Sequence, residues 1–403
     1  MATARRGDNR RLGLALAGGG PGGAVYEIGA LRALEESIEG LDLNQCHVYV
    51  GVSAGAFIAA ALANGYRPAQ LVRSLVASEP GDQAFDPGDF VLPAYREWAR
   101  RGVRLPVLVA EALVKVARRP NERTVLEAFA RLSRALPLGL FDNEPIRRYL
   151  KSAFEMKGRT DDFRRLRHRL FIVSVDLESG KPIVFGLRGW DHVPISRAVE
   201  ASTALPGLYP PVEIEGHLCT DGVLLKTVHA SVALEHGADL LLCINPLVPV
   251  DVAAGESSGA LKRGSILRQG LPALLSQTFR TLVHSRMVVG MARYRTHFPE
   301  ADVILLEPDR DEYGLFFNNI FSFQSRREVC EIGYRATRRD LLRRHSQLGP
   351  VLERHGYHLR LEVLRDRDRD VWEGVGLARK GGRRPRVVES LSRTLADLER
   401  ALT

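Results

Sequence analysis

Short apolar runs alternate along the chain with segments whose apolar residues recur at helical spacing, and glycine or proline marks the joints. The first run, residues 12–17 (LGLALA), ends in Gly18-Gly19-Gly20-Pro21-Gly22-Gly23, after which Val25, Ile28, Leu31 and Leu34 keep a helical period. The second, residues 46–50 (CHVYV), leads into Gly51-Val52-Ser53-Ala54-Gly55 and then the small-residue pattern FIAAALANGY. Each reads as strand, tight turn, helix. Further strands are predicted over 170–176 and 181–185, in a hairpin over 212–220, and over 240–244 and 303–306. Between them, 195–211 reads as a short helix stopped by Pro206, Pro210 and Pro211, 263–298 as a long helix with one polar face, and 318–334 as a capped helix packing back on the sheet. This succession predicts an α/β fold with a mainly parallel central sheet flanked by helices.

Two stretches depart from the alternation. Residues 66–168 are arginine-rich, mostly helical in pattern and broken by prolines, and read as an insertion. Within it, residues 105–117 (LPVLVAEALVKVA) are apolar and flanked by Arg101, Arg104, Arg118 and Arg119, which suits either a helix lying in a lipid interface or a core helix with solvated ends. Beyond residue 359 charges alternate, residues 380–386 form a basic linker, and Val388, Leu391, Leu395, Leu398 and Leu402 form a heptad-like stripe. That last helix is expected either to dock on its own domain or to pair with a second copy as a homodimer.

Composition narrows the functional classes. With 403 residues, 45% of them hydrophobic, the chain can bury a large core. Cys46, Cys219, Cys243 and Cys330 are scattered, without metal-ligand or disulfide-scaffold spacing, and are expected to be reduced core thiols. The arginine-containing N-terminus lacks an apolar stretch behind it and no run reaches about 18 apolar residues, so a cytoplasmic protein without a membrane span is expected. The net charge of +9 admits polyanionic partners. No zinc-finger spacing, aromatic RNA-binding motif or helix-turn-helix accompanies it, which leaves an anionic lipid surface and argues against specific nucleic-acid binding.

The candidate chemistry sits at the two glycine turns. Gly51-x-Ser53-x-Gly55 between a strand and a helix has the residue types of a nucleophile elbow, in which side chains at 51 and 55 would collide with neighbouring backbone. The glycine-rich turn at 18–23 suits a nest of inward-facing amides, either for a dinucleotide pyrophosphate or for an oxyanion. A dinucleotide site wants an acidic residue at the end of the next strand; that strand ends in Gly51-Val52-Ser53 instead, which favours an oxyanion hole at Gly18, Gly19 and Gly20. Asp221 ends the 212–220 hairpin, with Gly222 permitting a turn directly after it, and is expected to meet Ser53 in space. A strand-end Asp176 is read as a polar terminus.

Together, the Gly18–Gly23 turn, the Gly51–Gly55 elbow, the segment Ala201-Ser202-Thr203-Ala204-Leu205-Pro206 with Pro210-Pro211, and Asp221-Gly222 resemble the patatin-like phospholipase family. The resemblance covers roughly residues 10–340 and implies a three-layer patatin-like fold. It also implies a serine hydrolase of carboxylic esters in lipids, with Ser53 as nucleophile, Asp221 as base, the Gly18–Gly20 amides as oxyanion hole, and neither cofactor nor metal. The layout it implies is a basic arm over residues 1–11, a hydrolase domain over 12–345 with 66–168 as a cap, and a charged extension over 346–403. The expected partners are a lipid ester and, through the insertion, the inner membrane surface. Gly22 stands where the family usually has arginine or lysine, and Val223 where it has glycine or alanine. The competing chemistry is a serine-histidine-acid esterase with His229 or His355 as base. A basic membrane-associated scaffold with weak turnover is the non-enzymatic alternative.

Overall fold

The computed structural model describes residues 11–77, 92–103, 109–111, 114, 136–262, 264–317 and 323–377. Strands β1 (Leu12–Leu16), β3 (Val48–Val52), β4 (Arg169–Asp176), β8 (Leu240–Ile244) and β9 (Asp302–Leu306) lie parallel in the order β4-β3-β1-β8-β9. Three shorter strands extend the sheet at the β4 side: β5 (Pro182–Phe185) and β7 (His217–Asp221) pair antiparallel with β4, and β6 (Val212–Ile214) pairs with β7. A separate two-stranded ribbon joins β2 (Ile38–Glu39) to β10 (His358–Leu359). The expected strands are present, each within a few residues of its predicted bounds.

Alternation along the strands divides the core between the two sheet faces. Leu12, Leu14 and Leu16 point to one face, together with Tyr49, Leu170, Ile172, Leu240, Leu242 and Ile244. Ala15, Ala17, Val50, Val52, Phe171, Val173, Leu241 and Cys243 point to the other. The first face is covered by helices α1 (Gly20–Ser37), α2 (Ala54–Ala63), α3 (Glu144–Phe154), α4 (Ile195–Ser202) and, against α1, α7 (Phe323–Arg343). The second is covered by α5 (Ala230–Glu235) and α6 (Gly270–His297). This is the three-layer arrangement that the sequence predicts. All four cysteines are buried and unpaired.

Three observations differ from the sequence reading. Helix α1 begins at Gly20, so four of the six residues expected in a loop form its first turn. Glycine is a poor helix former, but packing against the sheet overrides that preference. Both ends of the stretch read as an insertion belong to the main core, through Leu71, Val72, Leu75 and Val76 near its start and Ile146, Leu150 and Phe154 towards its end. Residues 346–377 also stay with this core: β10 pairs with β2, Val371, Trp372 and Val375 are buried, and Arg369 Nε donates to Glu36 Oε2 at 3.0 Å. Most of residues 105–117, the 380–386 linker and the heptad-like stripe lie outside the described residues.

The helix expected over 263–298 is present as α6, and its outward face carries leucines among polar residues. Ala273, Val283 and Met287 are buried on the inner side, while Leu271, Leu274, Leu275 and Leu282 face water. The apolar residues of this helix serve two sides, inner and outer.

Candidate active site

Ser53 follows the C-terminal end of β3 and is the N-cap of α2. Its backbone has φ 53° and ψ −123°, a conformation that costs a non-glycine residue on the order of 1–3 kcal/mol and persists only where packing imposes it. The packing is visible on both sides. A Cβ at Gly51 would stand 2.5 Å from Ala56 Cα, and one at Gly55 would stand 2.5 Å from the Ala17 carbonyl oxygen. Helix α2 therefore presses on β3 at one glycine and on β1 at the other, as the sequence predicts, and the turn between them is forced outward with Ser53 at its tip.

A second element holds the turn from the sheet side. The Ser53 N–H donates to Ser202 Oγ at 2.9 Å, and Ser202 Oγ–H donates to the Val173 carbonyl at 2.6 Å. Two residues later the Ala204 carbonyl accepts from the Asp221 N–H at 3.1 Å and from Thr220 Oγ1 at 2.6 Å. The end of α4 and the residues after it thus bridge the serine turn and the aspartate strand. Sequence reasoning quoted these residues without giving them this task; the available signal was a buried run of small hydroxyl residues between a helix and prolines.

Strand register explains how Asp221 reaches Ser53. Val52 is level with Val173 of β4 and Asp221 is opposite the next residue, Ser174, while β5 occupies the other edge of β4 at both positions. The ends of β3 and β7 therefore meet along one edge of β4, which brings Ser53 and Asp221 together. The Ser53 side chain is near enough to the Asp221 carboxylate to favour its ionised form. The carboxylate also accepts from the Val223 N–H at 2.9 Å, a turn that brings Gly222 so close to β4 that a Cβ there would stand 2.4 Å from the Val173 carbonyl oxygen.

Electrostatics set the protonation of this carboxylate. Asp221 is 1% exposed, and burial pushes its pKa up to about 7, against the opposing effects of the Ser53 hydroxyl and the Val223 amide. Such a group changes charge near neutrality.

The glycine turn lies against the same pair. A Cβ on Gly18 would stand 3.2 Å from Ser53 Cβ and 3.2 Å from a methyl carbon of Val223. The Gly18 N–H itself points to the Thr227 carbonyl at 3.4 Å. Among the described residues the N–H groups of Gly19 and Gly20 meet no acceptor, as is usual where a helix begins. Of the three amides expected to form an oxyanion site, one is therefore engaged and two are open.

The histidines of the competing chemistry are elsewhere or occupied. His355 binds Asp302 with Nε2 at 2.8 Å, and Asp302 opens β9, at the opposite edge of the parallel strands from Ser53. His229 is buried, donates Nε2–H to the Gly222 carbonyl at 3.1 Å, and is held down to about 4 by burial. Asp176 is engaged by Ser179 Oγ at 2.6 Å and His217 Nδ1 at 3.3 Å, which fits a polar strand end.

The family model described as patatin-like phospholipase matches residues 14–234, a span that contains the end of β1, the glycine turn, the serine elbow and Asp221. The chain belongs to the patatin-like phospholipase family. Among solved structures it is similar to VipD from Legionella pneumophila, at 17% identity over 82% of this chain and 66% of that one, with a TM-score of 0.39. It is also similar to the type III effector ExoU, known from Pseudomonas aeruginosa, at 16% identity over 81% and 52%, TM-score 0.33. The human GIVD cytosolic phospholipase A2 matches at 12% identity over 85% and 60%, TM-score 0.32. This chain spans about half to two thirds of the length of each of them.

One buried charge near the patatin-like site yields a stability prediction. Glu27 on α1 is fully buried, neither carboxyl oxygen has a hydrogen-bond partner among the described residues, and burial pushes its pKa well above the ordinary range, offset in part by the Ala17 backbone. A raised carboxyl pKa means that the folded protein holds a proton which the unfolded chain releases above about pH 4.5. Stability from this group is full below that pH and declines above it. Glu27→Gln is expected to flatten the fall of Tm between pH 5 and pH 8 relative to the parent; identical pH slopes would contradict this.

Proposed function

We propose that the protein is a lipid acyl hydrolase that cleaves carboxylic esters through a Ser53–Asp221 dyad. The observation that carries this reading is the buried Asp221 carboxylate at the end of β7, set beside a serine on a strained elbow at the end of β3, with two open amides at the nearby start of α1. Family membership supports the ester class of substrate.

In this mechanism Ser53 Oγ bonds to the ester carbonyl carbon while its proton passes to the Asp221 carboxylate. The carbonyl oxygen becomes an oxyanion and is stabilised by the Gly19 and Gly20 N–H groups and the positive end of α1. Collapse breaks the bond to the alcohol, which leaves with the proton from Asp221, and the acyl group stays on Ser53. Water then gives a proton to Asp221, attacks the acyl carbon, and the fatty acid departs as Ser53 recovers its proton. The Val223 amide holds the carboxylate in place, so the residue that departs from the family pattern still serves the base through its backbone. The basic side chain absent at Gly22 is not required by these steps. The residues suffice without a metal or cofactor.

The dyad implies a pH dependence. Asp221 accepts a proton only when ionised, so kcat/KM is expected to rise with pH and level off above an apparent pKa of about 7. A profile flat from pH 5 to pH 9 on a neutral ester would contradict that assignment. No helix of the described residues is long and apolar enough to cross a membrane, so a lipid substrate would be met at a surface. The direct test of function is mass spectrometry of acids released from a mixed lipid extract. Wild type is expected to release fatty acids and Ser53→Ala to release none; no acid from wild type would overturn the proposal.

A further inference from the structure

The outward face of α6 is an apolar surface left open to water. Leu271, Leu274, Leu275 and Leu282, which helical spacing sets on one side of the helix, stand 64%, 46%, 57% and 60% exposed, and Leu267 in the turn before them is 78% exposed. A contiguous leucine stripe of this kind marks a contact surface rather than chance exposure.

Charge indicates what that contact is. Between Glu256 and Glu300 the chain carries no aspartate or glutamate, against one lysine and six arginines. Arg268 and Arg293 are exposed, and helical spacing sets Arg293 on the same side as the leucines. An apolar stripe edged by cations and free of anions matches the boundary between acyl chains and phosphate headgroups of an anionic bilayer.

We propose that the outer face of α6 docks on an anionic lipid surface, with the leucines entering the acyl boundary and the arginines meeting lipid phosphates. The inner side of the same helix is bonded to the loop that runs on from Asp221. Arg286 Nη1 donates to the Leu224 carbonyl at 2.9 Å, Thr227 Oγ1 donates to the Val283 carbonyl at 3.3 Å, and the Thr227 carbonyl receives the Gly18 N–H. Docking there would bring lipid to the element adjoining the serine and its acid. This surface differs from the arginine-flanked stretch at 105–117. Its ligand class rests on the lipid-hydrolase reading, whereas its test does not.

The test uses the full chain carrying Ser53→Ala, so that no lipid is consumed. The four native cysteines are buried, so an environment-sensitive fluorophore attaches selectively to Leu271→Cys, or to Ser346→Cys as an exposed control. Vesicles of phosphatidylcholine with phosphatidylglycerol are expected to shift the emission at position 271 to the blue, reversibly with salt, and to leave position 346 unchanged. Leu271→Asp with Leu275→Asp is expected to weaken co-sedimentation with those vesicles at least about tenfold, at unchanged Tm. No shift at position 271, or equal sedimentation of the double variant, would overturn the proposal. A shift that grows with protein concentration without vesicles, or vesicle binding that requires removal of residues 378–403, would overturn it too, by assigning the face to a second copy or to the chain's own terminus. If wild type docks but releases no fatty acid, the hydrolase reading fails alone; if it hydrolyses without docking, this surface fails alone.

Discussion

Replacing Ser53 by alanine is expected to lower kcat on any ester substrate by about 10⁴- to 10⁶-fold, the loss typical when a nucleophile acting within a catalytic unit is removed. The fold should survive. The elbow is held by contacts that the side chain does not make: Ser202 accepts the residue 53 N–H, and the Gly51 and Gly55 contacts are backbone contacts. The variant does remove the Ser53 hydroxyl that favours the ionised Asp221 carboxylate, which leaves the Val223 N–H as its donor in the turn and raises its pKa further above about 7. Ser53→Ala should therefore bind lipid, melt near the parent temperature and turn nothing over. Activity within tenfold of wild type would remove Ser53 from the mechanism.

The second large effect is expected at Asp221. Asparagine has nearly the same shape and can accept the Val223 N–H, but it cannot take up the Ser53 proton. Loss of a general base costs about 10²- to 10⁴-fold, and here one carboxylate serves both acylation and deacylation, so the upper end applies. The sign of the stability change separates lost chemistry from lost fold. A buried carboxyl with a raised pKa destabilises the folded state as pH rises above the unfolded pKa, and a neutral amide does not. Asp221→Asn should accordingly be less active and, above pH 7, no less stable than wild type. Thermal melts at pH 8 beside initial rates check both halves; a large drop in Tm at unchanged specific activity would contradict the role.

Much of this site was legible in the sequence because its parts are local. The alternation of Leu12, Leu14 and Leu16 with smaller residues marks β1, and the glycines at 51 and 55 are demanded by two close backbone approaches. Asp221 was found because a hairpin followed by glycine delivers a carboxylate at a strand end. What stayed hidden is non-local. The register that brings the ends of β3 and β7 together along one edge of β4 depends on strand order, and the link from Ser202 to Ser53 crosses from the end of α4 to the elbow. The start of α1 at Gly20 was hidden by glycine's weak helix preference, and the burial of Val371, Trp372 and Val375 by the charged residues around them. The outward leucines of α6 were hidden for the opposite reason, since hydrophobicity alone does not say which face meets water.

The pairing of one alcohol with one acid is tested most directly by covalent capture. Wild type and Asp221→Asn would be treated with a long-chain alkyl fluorophosphonate and their peptides mapped by tandem mass spectrometry. The expected result is a single adduct on Ser53 in wild type, formed at least about a hundredfold more slowly in the variant. An adduct on another residue, or labelling of Ser53 at an undiminished rate without the Asp221 carboxylate, would contradict the dyad.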